Sequence, residues 1–361
     1  MNEHVLIAGA TGLVGRAAMQ HFAQAGYRTT AVSRRRPYDT YGARFIPVDL
    51  ADEAACAEAL SGLTDVTQVV FAALHEEPDL VSGWTDAKHV RRNGEMLRNL
   101  IEAVDRASPT LRHVSLLQGP KAYGVHVGPM RIGAREDRDE RRDVPNFYWA
   151  QEDYLKAKQI GKPWSWTVFR PALVVGMAVG GAMNLNAAIG VYAALLKEKG
   201  LPLAYPGGVG AALEATDTEL MARAFEWAAK ADTAANQTFN LTNGEIFTLR
   251  DQWAGIAAAL GMEEGPDEPL TFAEELPKEA AAWDTIRAKY GLAAPGLETF
   301  IGQSFQFADF AFARGSTAPR GVSAMSSIKI RAAGFNEVLY TEQMFAKWLR
   351  RYQADRLLPP L

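Results

Sequence analysis

Two pairs of residues in the middle of the chain have the types and spacing for acid–base work on a carbonyl group. Tyr154 and Lys158 stand four apart on one helical face, the arrangement that polarises a carbonyl oxygen on many parallel-sheet enzymes. Tyr148 opens the same helical segment, but its fourth following residue is Glu152, so its lysine must come from elsewhere, and Lys121 is the candidate. A tyrosine hydroxyl aimed at a carbonyl oxygen, with an ammonium beside it, stabilises negative charge developing there. Position separates the two pairs. Ligand sites of parallel sheets lie at the carboxyl ends of the strands, and Lys121 and Tyr148 each fall just past a strand end or at a helix start. Lys158 instead lies close to Lys162-Pro163, where the chain already approaches the next strand, which makes the Tyr154/Lys158 pair a decoy. Taken singly, an aromatic at a helix start packs on a core and a loop lysine is solvated; order and position together carry the reading.

The elements that must position these residues begin at the N-terminus. Val5-Leu-Ile-Ala is a strand that breaks at Gly9, Gly12 and Gly15 and continues as an apolar-periodic helix from Arg16. Such a βα turn needs Gly9 for the bend, Gly12 for close approach of a pyrophosphate and Gly15 for helix–strand packing, with the anion on the helix N-terminus. Thr11, Leu13 and Val14 belong to the same expected dinucleotide contact. The second strand, Arg28 to Val32, ends in Ser33-Arg34-Arg35-Arg36, where an acidic residue would read a free ribose and arginines instead suit a 2′-phosphate, so the expected cofactor is NADPH/NADP. Arg44 to Leu50 is the third strand, with Asp49 and Leu50 at its end placed at the adenine, and Gln68 to Ala73 the fourth, whose small terminal residues Ala72 and Ala73 leave room for the cofactor. Leu111 to Leu117 is the fifth strand, with Ser115 as a cofactor contact, and Trp164 to Pro171 the sixth, with Val174 and Val175 beyond it. Strands alternating with helices give an α/β fold with a doubly wound parallel sheet. The mixed-charge run Arg135 to Asp143 reads as a solvated loop. Phe300, Phe305, Phe307, Phe310 and Phe312, with Met325 and Phe335, read as packing of a C-terminal lobe.

Composition excludes several classes. With 361 residues, 48% hydrophobic and 22% charged, the chain is long enough for a large α/β domain with a smaller lobe, and it is not disordered. A net charge of -4 offers no basic footprint for nucleic acid or an anionic membrane, which leaves a small-molecule partner. One cysteine, Cys56, excludes an internal disulfide framework. The first strand begins almost at once, without a basic and then apolar leader, so a cytoplasmic protein is expected. Ala172 to Leu196 is uncharged for long enough to cross a bilayer. Its glycines and asparagines, and its start directly after Arg170-Pro171, favour a buried loop and helix instead. The histidines show no metal-ligand spacing, so no metal is expected.

Several motifs in order resemble the progesterone 5β-reductase/iridoid synthase-like (PRISE) branch of the atypical extended short-chain dehydrogenases/reductases. They are Gly9 to Gly15, Ser33-Arg34-Arg35, Ser115 through Lys121 and Tyr123, Asn146-Phe147-Tyr148 with Glu152-Asp153, Arg170-Pro171, Met183-Asn184-Leu185, Tyr205-Pro206-Gly207 and Phe239-Asn240 with Asn243-Gly244. The resemblance implies a Rossmann-type doubly wound sheet with a smaller, mainly helical C-terminal substrate lobe. It divides the chain into a cofactor-binding core over 1–175, completed within about 205–245, and a lobe over 176–204 and 246–361. It implies Tyr148 and Lys121 as the catalytic pair, and a cytoplasmic reductase of enones and enals that delivers hydride to the β-carbon. Trp149 stands where the family has a second tyrosine and His126 where it has an apolar residue; with Met183 and Asn184 these are the substrate-facing candidates. A small apolar enone is the implied substrate, and a homodimer is compatible with the family. Two other readings stay open: an NADP-dependent carbonyl reductase or sugar-nucleotide enzyme on the same fold, and a non-catalytic NADP-sensing protein.

Overall fold

The computed structural model describes residues 3–76, 86–318 and 320–361, and the chain divides into two compact units. The first comprises Met1–Ala172, Thr218–Thr242 and Met325–Glu337, the second Leu173–Asp217, Asn243–Ala324 and Val338–Leu361.

The first unit runs β1 (His4–Ala8), α1 (Leu13–Gln24), β2 (Arg28–Ser33), β3 (Arg44–Pro47), α2 (Glu53–Leu60), β4 (Gln68–Phe71), α3 (Ala87–Ala107), β5 (His113–Leu117), α4 (Phe147–Gln159) and β6 (Ser165–Pro171), with α6 (Thr218–Ala228), β10 (Gln237–Leu241) and α12 (Ile328–Ala332) from later in the chain. Among the described residues its sheet has seven strands in the order β10-β6-β5-β4-β1-β2-β3, all parallel. Every residue of β1 is buried, as expected of a strand covered on both faces, and this is why His4-Val-Leu-Ile-Ala reads as a nearly continuous apolar run. Strand order reverses between β1 and β4, so the ligand crevice of such a sheet opens there, at the ends carrying Gly9 and Ala72. Side-chain caps start the helices that flank it. Asp52 accepts the Ala55 N–H before α2, Asp86 the Lys88 N–H before α3, and Asn146 the Tyr148 N–H before α4.

The second unit contains β7 (Leu173–Val175), α5 (Leu185–Glu198), β8 (Leu203–Tyr205), β9 (Ala211–Asp217), β11 (Ile246–Phe247), α7 (Trp253–Ala259), β12 (Glu264–Asp267), α8 (Phe272–Glu275), α9 (Ala280–Tyr290), α10 (Leu297–Ile301), α11 (Ser304–Ala311), β13 (Arg320–Ser323) and α13 (Thr341–Ala354). It is mainly helical. Helix α5 is buried at each position from Leu185 to Leu195 and packs in one apolar core with Trp253, Trp283, Phe300, Phe312 and Trp348. Burial on all sides is what removed charge from this stretch. No helix among the described residues is long and apolar enough to cross a membrane.

Two boundaries and one burial assignment differ from the sequence reading. Strands β8 and β9 do not complete the first unit's sheet: β9 pairs with β7, β11 and β13, and β8 with β12. Residues 325–337 return to the first unit, which takes Met325 and Phe335 out of the expected lobe. Met325 packs with Tyr123, Met130 and Ala134, and Phe335 lies against Trp227. Phe310, grouped with the packing aromatics, is 64% exposed, whereas Phe300, Phe305 and Phe312 are buried.

Candidate active site

The glycine turn is held by backbone contact. Gly9 has a φ of +84°, and a side chain on it would meet the Ala72 carbonyl oxygen at 2.5 Å. A Cβ on Gly15 would lie 2.2 Å from the Gly9 carbonyl oxygen, so only glycine lets α1 approach β1 this closely. Around Gly12 the nearest atom to such a Cβ is the Gly9 oxygen at 3.5 Å, and no side chain caps the helix that starts at Leu13 and Val14. An open N-terminus with amide hydrogens directed outward fits a pyrophosphate.

A groove runs from this turn past the end of β2. Gly9, Thr11, Ser33, Arg34, Arg35, Asp49, Leu50 and Ala73, all expected from the sequence, line it together. The Ser33 hydroxyl donates to the Arg35 carbonyl at 2.6 Å and so shapes the arginine turn, while the Arg36 guanidinium leaves the groove to lie over the Phe45 ring. The Asp49 carboxylate accepts the Ala51 N–H at 3.0 Å. Val48, Leu74, His75, Arg92 and Met96 complete the lining and were missed. Arg92 and Met96 are four apart on α3, and their common face was the available signal. These residues fit a dinucleotide. Ser115 does not join them: it is the third residue of β5, buried and paired with Val70 and Thr167, short of the strand's carboxyl end. Val174 and Val175 lie in the second unit, paired with Thr216 and Asp217.

Beyond β5 the chain makes one tight helical turn, Pro120–Tyr123, that carries Lys121. Tyr148 enters from the first turn of α4, its backbone N–H fixed by the Asn146 cap at 3.1 Å, its ring edge-on to Phe147 at 4.8 Å. A Cβ on Gly119 would stand 3.2 Å from the Tyr148 hydroxyl oxygen. The hydroxyl therefore rests against the backbone two residues from Lys121. Burial pushes the Lys121 ammonium down to about 7, opposed by the Glu76 charge. Burial also raises the Tyr148 phenol well above its ordinary value, with Glu76 adding to the effect and Arg170 opposing it. Burial thus holds the Tyr148 phenol protonated and weakens the hold of Lys121 on its proton, and the Glu76 charge acts on both groups. Glu76, which the sequence reading passed over, follows a segment tied to α3: Asn93 accepts the His75 N–H at 2.8 Å and donates to the His75 carbonyl at 3.0 Å. An acidic residue just past a central strand was the signal for it.

The other candidates fall differently. His126 is half-buried, its imidazole held below the ordinary value by burial and the Lys121 charge, and neither ring nitrogen has a hydrogen-bond partner among the described residues. Trp149 is 8% exposed; its indole N–H donates to the Val144 carbonyl at 3.2 Å, and the Arg142 and Arg170 guanidinium groups lie over its ring. These contacts tie Trp149 into the buried charge cluster around Arg170. Met183 and Asn184 belong to the second unit. Asn184 accepts the Ala187 N–H at the start of α5 and donates to Ala178 and Tyr352, which engages both amide hydrogens within that unit. Tyr154 and Lys158 both bind Glu102, at 2.9 and 2.7 Å.

Part of the charged run is not solvated. Arg170, with no exposed surface, donates to Gln118 at 2.8 Å, Tyr123 at 3.3 Å, Glu140 at 2.7 Å and Glu152 at 3.3 Å. Glu136 is buried and accepts the Asn240 N–H at 2.7 Å. Two acids of the run are thus drawn inward, one to neutralise a buried cation, while Asp137, Asp139 and Asp143 stay in local pairs with arginines.

Comparison with known proteins finds relatives over nearly the whole chain. The chain is 31% identical over 384 aligned residues to a 3-oxo-Delta(4,5)-steroid 5-beta-reductase of Arabidopsis thaliana, covering 98% of this chain and 92% of that protein. It is 29% identical to an (S)-8-oxocitronellyl enol synthase of Nepeta racemosa, covering 98% and 91%. Among solved structures, UDP-glucose 4-epimerase of Thermus thermophilus in complex with NAD superposes with a TM-score of 0.66 at 18% identity, over 97% of this chain and 99% of that one. The enzyme of the same name from Bifidobacterium longum gives 0.67 at 13% identity, over 98% of each. These two share the fold. Residues 48–359 match the family model of the PRISE-like Rossmann-fold domain, and the chain belongs to that family.

Proposed function

We propose that the protein is an oxidoreductase with a nicotinamide cofactor, NADPH in preference to NADH, that reduces the carbon–carbon double bond of a small conjugated enone or enal. The observation that supports this reading is that the Tyr148 hydroxyl rests against Gly119, two residues before Lys121, with the tyrosine and the lysine supplied by different elements. Two relatives' names support it. One acts on a 3-oxo steroid whose double bond is conjugated to its ketone, and the other is named for an enol product.

When bound, the reduced nicotinamide supplies hydride to the β-carbon of the substrate. Negative charge then accumulates on the carbonyl oxygen, where the Tyr148 hydroxyl donates a hydrogen bond. A raised phenol pKa keeps that proton in place, so Tyr148 acts as a donor throughout the neutral range. Lys121 adds positive charge beside it. Such a donor contributes about 3 kcal/mol to the transition state. A carbonyl reducer would use a tyrosine and lysine on one helix face, and here that pair is bound to Glu102. The preference for NADPH rests on Arg34 and Arg35 in the groove. The uncharged run 172–196 is accounted for by the core around α5 and carries no argument about the substrate.

The test is incubation of 2-cyclohexen-1-one with NADPH deuterated at C4. Label at the β-carbon of the saturated ketone is the expected product, and allylic alcohol as the main product would refute the reading.

A further inference from the structure

A buried ion pair adds little net stability compared with apolar packing of the same volume, yet β6 carries a fully buried arginine next to its end. What Arg170 touches gives the reason. Its Nε binds Gln118, the residue before Gly119, and one terminal nitrogen binds the hydroxyl of Tyr123, the last residue of the tight turn. Residues 118 and 123 bracket Lys121. Gln118 passes the constraint on, donating to Glu152 at 2.7 Å and to the backbone carbonyl of Tyr148 at 3.3 Å. The Tyr123 hydroxyl in turn donates to Asn240 at 2.5 Å, whose amide is held by the Ala134 and Ser326 carbonyls. The remaining guanidinium nitrogen carries the charge pairing with Glu140 and Glu152.

We propose that Arg170 is a positioning residue: its planar fork fixes both ends of the turn bearing Lys121 and, through Gln118, the first turn of the helix bearing Tyr148. The role depends on the fork and not on charge alone, since a lysine at the end of β6 presents a single nitrogen that cannot bind Gln118 and Tyr123 from fixed, divergent directions. It also gives Glu140 a purpose, as the counter-charge that lets this fork be buried. The proposal rests on the reading of Lys121 and Tyr148 as the working pair.

The test uses Arg170→Lys in the full-length protein with two readouts. The first is the proton titration of Lys121, followed by NMR of 13Cε-labelled lysine and assigned by loss of the signal in Lys121→Met. Glu76 and His126 are the titratable groups coupled to it. In the wild type the midpoint lies at about 7; with the turn released, Lys121 gains water and the midpoint moves up toward 10.5, the ordinary lysine value. The second is enone reduction, where kcat falls by about a hundredfold while the Kd for NADPH stays unchanged, the size of effect expected of a roughly 1 Å misplacement. Should Arg170→Lys fail to fold, Tyr123→Phe removes one anchor of the turn and shifts both readouts in the same directions by less. A folded variant in which the Lys121 midpoint does not move overturns the proposal, whatever happens to kcat. A wild type that reduces no enone, with a midpoint that still moves on substitution, refutes the proposed reaction and leaves the positioning role standing.

Discussion

Lys121→Met should stabilise the protein while abolishing its turnover. Burial lowers the folded-state value of Lys121 from 10.5 to about 7, so between these pH values the unfolded chain binds a proton that the folded chain does not. Stability of the wild type therefore rises with pH across this window, and below about pH 7 the full penalty is present. At about 1.4 kcal/mol for each tenfold change in proton affinity, the fall from 10.5 to about 7 sets an upper limit of about 5 kcal/mol on the penalty. Methionine matches the neutral lysine in length and carries no charge to desolvate. Thermal melts of both proteins at pH 6 to 10 read the difference directly, each kcal/mol moving Tm by roughly 1–2 °C in a cooperatively unfolding chain of 361 residues. The variant should melt higher at pH 7, and the two curves should converge as the pH approaches 10.5. A variant that melts at or below the wild type throughout this range would refute the assignment of Lys121 as a buried, strained cation.

The other predictions concern the site's parts. Tyr148→Phe should lower kcat by about a hundredfold or more with NADPH binding unchanged, because the ring still packs on Phe147 and only the donor is lost; steady-state kinetics with fluorescence titration of NADPH checks it. Arg34→Ala with Arg35→Ala should raise the KM for NADPH at least tenfold and leave that for NADH nearly unchanged, and equal kcat/KM for both cofactors in the wild type would remove the basis for the preference. Tyr154→Phe and Lys158→Ala should leave kcat within about twofold and cost stability of about 1 kcal/mol or less, as expected for partly exposed partners of Glu102.

The glycine turn and the arginine turn were legible because each works through local chain geometry: three glycines and a strand end specify a βα turn wherever it occurs, and the groove gathers them as the spacing implies. The Lys121 and Tyr148 positions were legible for a related reason, since each follows or opens an element whose apolar pattern marks its end. What was not legible depends on partners far apart in the chain. The run 135–143 looks like nine solvated residues until β6 supplies Arg170, which draws Glu140 inward, and β10 supplies Asn240, whose backbone N–H does the same to Glu136. The packing of Arg170 and Arg142 over the Trp149 ring was hidden in the same way. The return of residues 325–337 to the first unit is equally silent in sequence, because Met325 and Phe335 read as packing residues in either unit.

Arg170 and Lys121 are both cations withdrawn from water within one unit, and the protein treats them in opposite ways. An arginine does not release its proton, so burying it requires compensation, and Glu140 and Glu152 provide it. A lysine can release its proton, and here burial brings that event to neutral pH. Only the lysine is left with a protonation state that substrate or cofactor charge can set. Under the proposed reaction, negative charge arriving near Lys121 would raise its affinity for a proton, so the ammonium would be most stable when an enolate oxygen needs it. On the proposed roles, the fixed charge of Arg170 would hold the geometry and the adjustable charge of Lys121 would answer the chemistry. Exchanging the two types would lose both properties, since arginine at 121 could not release its proton and lysine at 170 could not span two anchors.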